Sequence, residues 1–352
     1  LVDAALRDLS DVEELPEILE DLVDVEETEE KRKVMKDPGE PTAKEYADHR
    51  VDHMPYRSWC PHCVRGRATG AQHRTRSEKQ LVPQFGFDYL HGSEAFDLDS
   101  GEEEVVKILV GKCHQSKSIF SHVVPQKGLD PDLYAVERLK RDIMWLGHTK
   151  LVLKSDNERA ILALLRNTLK ALRIEEDITN IQEAHPAVYD SSSNGSTENA
   201  SKQVGNMLST MRNCLEERIK LRIPISHCAF AWLTEHVGWI LTIRQTQSDG
   251  LTPYERLRGR KFGSSLLGFG ECCHYKIPKS KTEKNLEGKL GARWRNGLFL
   301  GYSRDSNEYV IWDVQEQSVI RARSLQRKPE SRRWSGEELM KVNLRPQDAL
   351  YR

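Results

Sequence analysis

Residues 150–158 read KLVLKSDNE, a short apolar strand followed by a polar turn that carries Asp156. After this turn, apolar residues recur at the spacing of one helix face, at Ile161, Leu164, Leu165, Leu169 and Leu172. A strand that leads through a tight polar turn into an amphipathic helix is typical of α/β domains. The sequence therefore predicts an α/β fold in which strands and helices alternate over residues 80–250.

Two further acidic residues have similar settings in this segment. Asp88 lies in a strand predicted over residues 83–90, and Glu198 lies in the first turn of a helix predicted to begin near Thr197. Carboxylates on separate elements can converge to hold a pair of hard divalent cations, which take oxygen ligands and support phosphoryl transfer. We therefore expect Asp88, Asp156 and Glu198 to bind Mg²⁺ or Mn²⁺ at a site that cuts or joins nucleic acid.

Each of these acids also has a simpler structural explanation when it is taken alone. An aspartate at the end of a strand is usually a helix cap, and a glutamate in a first helical turn stabilises the helix dipole. Asp190 and Glu183 are alternatives to Glu198 as the third ligand, although neither has its Asn-Gly-x-x-Glu setting. The prediction of a metal site depends on the joint placement of the three acids.

Residues 41–78 contain two possible pairs of zinc ligands. The histidines are four positions apart, which places them on one helix face, and the cysteines have the Cys-x-x-Cys spacing of zinc knuckles; the four residues are His49, His53, Cys60 and Cys63. His62 and His73 are alternative ligands. The alternative to a zinc site is an exposed histidine pair and an ordinary thiol pair. We expect a tetrahedral Zn²⁺ site with two nitrogen and two sulfur ligands.

The composition limits the class of protein. The chain has 352 residues and a net charge of −1, with 15 acidic and 5 basic residues in residues 1–40, and 12 acidic and 21 basic residues in residues 251–352. A basic C-terminal part favours contacts with phosphate groups. No apolar run approaches the roughly 18 residues of a membrane span, so we expect no membrane association. The seven cysteines show no disulfide framework, which is typical of a reducing compartment.

The ends of the chain are predicted to differ from its centre. Residues 1–40 are predicted to be an acidic, mostly disordered arm. Short strands are predicted at 297–302, 307–313 and 318–323, which indicates a small barrel-like β-domain over residues 251–330. Residues 331–352 are charged and are predicted to form a flexible tail.

The order of these motifs resembles that of a retroviral-type integrase. The segments LTPYERLRGRK at 251–261, FGEC at 269–272, GLFLGY at 297–302 and YVIWD at 309–313 resemble the integrase region of copia-type retrotransposon polyproteins. The resemblance covers about residues 45 to 325. Each acidic motif is weakly specific, but four signatures in the order of the family form a strong match.

The resemblance implies a zinc-binding helical N-terminal region, a ribonuclease-H-like core with a mixed sheet flanked by helices, and a small β-rich C-terminal domain. It implies an integrase, a polynucleotidyl transferase that trims retroelement DNA ends and joins them to target DNA. By position, Asp88, Asp156 and Glu198 would bind the catalytic metal ions, and Lys202 would contact the DNA end. The implied partners are DNA and further copies of the chain, and the implied location is the nucleus, after assembly of a cytoplasmic particle.

The sequence departs from the family pattern in three places, one of which is a shorter spacing between the histidine pair and the cysteine pair. The 41 residues between Asp156 and Glu198 form a longer connection than is usual, and Glu158 occupies a position where glycine is common. Two other functions fit the same residues. One is a ribonuclease-H-type nuclease that cuts RNA–DNA hybrids, and the other is a captured DNA-binding protein whose core is no longer catalytic.

Overall fold

The computed structural model describes residues 37–52, 57–67, 82–93, 105–174, 180–184, 195–277 and 292–350. The chain forms two compact units, residues 1–74 and 75–352. Of the predicted acidic arm, residues 1–36 lie outside the described residues. In the first unit, α1 (Ala43–Asp52) begins with a capping box, in which Thr42 and Glu45 exchange hydrogen bonds. A second helix, α2 (Pro61–Arg67), follows Cys60.

The second unit contains a mixed five-stranded sheet. Its strands are β1 (Gln84–Ser93), β2 (Val105–Cys113), β3 (Ile119–Val124), β4 (Lys150–Lys154) and β5 (Asn180–Ala184). Their order is β3-β2-β1-β4-β5, with antiparallel pairing from β3 to β1 and parallel pairing from β1 to β5. The predicted strands at 83–90 and 150–154 are confirmed. The mixed sheet agrees with the predicted core, and β5 had not been anticipated.

Helices cover both faces of this sheet. The helices are α3 (Tyr134–Leu146), α4 (Arg159–Leu172), α5 (Gly195–Ile219) and α6 (Cys228–Arg244). Phe85, Phe87 and Leu153 pack in one apolar cluster with α3 and α4. Val110 packs in a second cluster with α5 and α6. Phe85, Phe87 and Tyr89 on β1 face the first cluster. Because side chains alternate along a strand, the residues between them, Gly86 and Asp88, face α5.

The C-terminal part contains an antiparallel five-stranded sheet. After the short helix α7 (Pro253–Arg258), the strands are β6 (Cys272–Lys276), β7 (Trp294–Tyr302), β8 (Tyr309–Asp313), β9 (Ser318–Ala322) and β10 (Leu325–Arg327). The sheet order is β10-β6-β7-β8-β9. Phe299, Tyr302 and Ile311 are buried in the same apolar cluster as Phe85 of the first sheet. The two sheets therefore share a core within residues 75–352.

Residues 330–350 are folded, in contrast to the predicted flexible tail. They form a 3₁₀ turn (Glu330–Arg332), α8 (Gly336–Met340) and α9 (Pro346–Leu350). Leu339 and Val342 are fully buried against α5 and α6, and the Trp232 indole N–H donates to the Leu344 carbonyl at 2.8 Å. The prediction was wrong because a few apolar residues within a charged segment suffice to dock it. No helix among the described residues could cross a membrane.

Candidate active site and metal centres

The strand register brings Asp88 and Asp156 to the same part of the sheet. Gly86 on β1 pairs in parallel register with Lys154 on β4. Asp88 lies two positions after Gly86, and Asp156 lies two positions after Lys154. Because the side-chain period of a strand is two, both aspartates point to the same face of the sheet as the Gly86 and Lys154 positions. The pair lies on the face of the sheet that α5 covers.

Glu198 reaches this face from the first turn of α5. Its neighbour Thr197 is fully buried and packs directly over Gly86. A Cβ atom on Gly86 would lie only 2.3 Å from the Thr197 Oγ1 atom, so this contact requires glycine. The contact fixes the start of α5 over β1, two positions from Asp88.

The charges of Asp156 and Glu198 act on Asp88. Burial raises the pKa of Asp88, the Tyr89 backbone N–H opposes this shift, and the charges of Asp156 and Glu198 raise the pKa further. Like charges disfavour ionisation when they are close to one another. The predicted convergence of Asp88, Asp156 and Glu198 on one face is therefore consistent with both the packing and the charges.

The donor set suits a hard divalent cation. Asp88 Oδ1 accepts a hydrogen bond from the Tyr89 N–H at 2.7 Å, and Asp156 Oδ1 accepts one from the Asn157 N–H at 2.7 Å. The ligand atoms of the three acids do not all lie within 4.8 Å of one another, as those of a compact single-ion cluster would. Carboxylates repel one another without a cation, and a pair of cations can be held by more widely spaced acids.

A fourth carboxylate, Glu158, lies beside this group and also raises the pKa of Asp88. Both of its oxygens contact the Lys127 ammonium, at 3.0 and 3.1 Å. Lys127 also lies over the ring of Tyr89, 5.7 Å from its centroid. The negative charge that Glu158 adds is therefore paired with a cation from the loop after β3, which nothing in the sequence pattern indicated.

The remaining predicted residues of this site have different outcomes. Lys202 is exposed on α5, one turn after Glu198 and on the same helix face. Asp190 lies outside the described residues. Glu183 lies in β5, where the register pairs it with Leu153 rather than with Lys154. Glu183 is therefore one position out of register with Lys154, which lies on the same face as Asp156.

The first unit brings three of the four predicted zinc ligands together. His49, Cys60 and Cys63 are buried, and their ligand atoms lie within 4.8 Å of one another. The His49 Nε2 atom is 3.3 Å from the Cys63 sulfur. Trp59 packs edge-on against the His49 ring, with 4.9 Å between the ring centroids. The fourth predicted ligand, His53, lies outside the described residues, as does the alternative His73, while His62 is exposed on α2.

This arrangement fits a soft or borderline metal ion. Two buried thiols and an imidazole nitrogen within reach of one point are the ligands that zinc prefers. An unrelated histidine and thiol pair would not be expected to converge in this way. The donor chemistry therefore fits zinc, with one ligand position left for a residue such as His53.

Comparison with known proteins identifies the C-terminal sheet. Residues 272–337 match the family model of the retroviral polymerase SH3-like domain. This segment begins with β6, includes all five strands of the antiparallel sheet and ends in α8. It is a minority of the chain, and no curated protein matches the sequence.

Solved structures similar to the chain include three of retroviral proteins. The chain in the intasome of simian T-cell lymphotropic virus in complex with PP2A regulatory subunit B56 gamma has a TM-score of 0.41 and 13% identity, over 77% of this chain and 87% of that one. The HTLV-2 integrase catalytic core domain in complex with magnesium has a TM-score of 0.34 in its trimeric form, with 12% identity, over 51% of this chain and 100% of that one. Its dimeric form has a TM-score of 0.33 and 13% identity, over 52% and 100%.

Proposed function

We propose that this chain is a retroviral-type integrase of a copia-like retrotransposon, which trims the ends of retroelement DNA and joins them to target DNA. The observation that carries the proposal is the parallel register of β1 and β4, which leads to Asp88 and Asp156 on one face of the sheet, together with the packing of the first turn of α5, which holds Glu198, on that face. The match of residues 272–337 to a retroviral polymerase domain supports it. The order of motifs along the sequence supports it further.

Asp88, Asp156 and Glu198 would hold Mg²⁺ or Mn²⁺. A bound pair of such ions activates the attacking oxygen and stabilises the leaving oxygen of a phosphodiester. The chain itself supplies the ligands and their placement, with Asp88 fixed on β1 and Glu198 fixed by the packing of Thr197 on Gly86. Lys202, one turn along α5, would contact the DNA end.

The partners of such an enzyme follow from its reaction. Two DNA ends must be joined to one target, so we propose that copies of the chain assemble on DNA. The target is chromosomal DNA, which places the reaction in the nucleus.

A joining assay with the purified full chain tests the proposed function. A labelled DNA duplex should be trimmed and joined to a second DNA in the presence of Mg²⁺ or Mn²⁺, and both reactions should stop in EDTA. Degradation of an RNA–DNA hybrid without any joining would instead identify a ribonuclease H. DNA binding without metal-dependent cleavage of either substrate would identify a non-catalytic DNA-binding protein.

We further propose that His49, His53, Cys60 and Cys63 bind one structural Zn²⁺. Replacing Cys63 with Ser should remove bound zinc, because a buried thiolate ligand is lost from a site of only four. Zinc content per chain, measured by atomic absorption, should fall from about one to near zero. Cys214→Ser is the matched control, because Cys214 is an exposed free cysteine on α5. Equal zinc content in the two variants would contradict the proposed site.

A further inference from the structure

A row of basic residues crosses the sheet beside the carboxylates. Gly86 on β1 pairs with Lys112 on β2 and with Lys154 on β4, so the three residues lie in one row. The next row holds Val110 and Asp88 and leads to Asp156. Both rows lie on the face that α5 covers, and about 7 Å separates them, which is the rise of two strand residues.

Positive charge accumulates at this row. Burial lowers the pKa of His114, just after β2, and the ammonium groups of Lys117, Lys112 and Lys154 lower it further, to about 4. Burial also lowers the pKa of Lys112, with a further contribution from Lys117. The charged groups that lower the pKa of His114 are all lysine ammonium groups. The result is a positive field directly beside the negative field of the acids.

Two buried polar atoms face the bare backbone of Gly86. A Cβ atom on Gly86 would lie 2.3 Å from Thr197 Oγ1 and 3.6 Å from His114 Nε2. Neither atom has a hydrogen-bond partner within the described part of the chain. Buried polar atoms are rarely left without a partner in a folded protein. The Thr197 side chain is fully buried, so these atoms form a second, independent indication of a missing ligand.

Lys112 has a different position from the other basic residues. It is buried, and its ammonium donates to the Ser196 carbonyl at 3.3 Å, so it holds the first turn of α5. His114, Lys117 and Lys154 are only half-buried. The start of α5, a helix of 25 residues, adds the positive end of its dipole.

We propose that His114, Lys117 and Lys154 bind a backbone phosphate of the nucleic acid strand whose neighbouring phosphodiester lies at the carboxylates, while Lys112 positions the start of α5. The identity of the ligand rests on the proposed function. A phosphodiester fits because it presents anionic oxygen acceptors to cations, to an imidazole N–H and to a hydroxyl at once. The separation of the two rows is comparable to that of successive phosphates along a strand.

Oligonucleotide binding in EDTA tests this site without any catalysis. Lys117→Gln in the full chain should weaken binding of a labelled duplex about tenfold, and the slope of log affinity against log salt should fall by about 0.9, as expected for one lost phosphate contact. Lys117→Arg should retain the affinity of the wild type. Lys170→Gln is the matched control, because Lys170 is an exposed lysine at the far end of α4.

An NMR measurement gives a second readout. The imidazole C–H resonances of His114 should shift when the duplex is added to the wild type, and this shift should be lost in Lys117→Gln. An unchanged salt slope in Lys117→Gln, or an equal change in Lys170→Gln, would overturn the site. Because no metal is present, a wild-type chain that binds in this way but joins no DNA would contradict only the proposed function. A chain that joins DNA but shows no effect of Lys117→Gln would contradict only the phosphate site.

Discussion

Replacing Asp156 with Asn is expected to abolish DNA joining while DNA binding persists. The new amide side chain at position 156 is exposed and keeps the shape of the carboxylate. Its oxygen can still accept a hydrogen bond from the Asn157 N–H, so the fold should be retained. The substitution removes one of the three proposed anionic ligands. Metal assistance contributes several kcal/mol to phosphoryl transfer, so the joining rate should fall by at least about 10³-fold. Undiminished joining by this variant would reject the proposed chemistry.

A matched control and a second readout strengthen this experiment. Glu217→Gln removes an exposed carboxylate from the same helix that carries Glu198, and it should join DNA at the wild-type rate. Mg²⁺ should raise the melting temperature of the wild type and of Glu217→Gln, but not that of Asp156→Asn, because a ligand that binds only the folded state stabilises it. Equal stabilisation of all three proteins by Mg²⁺ would show that Asp156 is not a ligand.

The same substitution has a predictable effect in the absence of metal. The folded state raises the pKa of Asp88, partly through Asp156, so the folded state binds a proton more readily than the unfolded state does. Stability from this group is therefore lost as the pH rises through the pKa of Asp88 in the folded state. Asp156→Asn removes part of that repulsion, and the metal-free variant should be at least as stable as the wild type at neutral pH.

Replacing Gly86 with Ala is the second large expected effect. The new Cβ atom would lie 2.3 Å from Thr197 Oγ1, so the Thr197 side chain must shift, and we expect the first turn of α5 to move with it. Overpacking of this kind costs about 1–3 kcal/mol of stability, and displacement of Glu198 should lower the joining rate about 10²-fold, as misplaced catalytic groups do. Joining kinetics and melting temperature would measure the two effects separately.

A compensating substitution makes this prediction specific. In Gly86→Ala with Thr197→Ala, the nearest side-chain atoms to the new Cβ are at 3.6 Å, an ordinary contact, so the melting temperature should return toward that of the wild type. Thr197→Ala alone removes a buried hydroxyl that has no partner in the described structure and should change stability little. Gly195→Ala is the control within α5, because nothing lies within 4 Å of its Cβ position. Failure of the double variant to recover would contradict the packing role of Thr197.

The elements that the sequence predicted well have a recognisable local pattern. The helix after Asp156 has its apolar residues on one face, and the structure buries Leu164, Leu165 and Leu172. The strands around Leu298 and Trp312 alternate with turns, and both residues are fully buried. The proximity of Cys60 and Cys63 could be predicted because their Cys-x-x-Cys spacing is itself encoded in the sequence. Such patterns carry the local information from which secondary structure can be read.

Other elements were missed because their environment is not local. The helix α6 is buried on nearly all sides, including at Trp232 and Trp239, so it has no polar face that would reveal a helical period. The strand β5 is short and polar and is recognisable only from its pairing with β4. The close approach of Thr197 to Gly86 had one sequence signal, a glycine within a strand, which commonly marks a close backbone contact. The partner that makes this contact lies more than a hundred residues away.

The shared core of the two sheets has a consequence for how the chain can be divided. Phe299, Tyr302 and Ile311 lie in one apolar cluster with Phe85 and Leu153. Cutting the chain near residue 250 would remove the C-terminal members of this cluster and expose to water the apolar side chains of residues 75–250 that they cover. Residues 272–337 are thus part of the core of the neighbouring sheet rather than a detachable module. Exchange of this segment between related proteins would require matching changes in the apolar residues of both sheets.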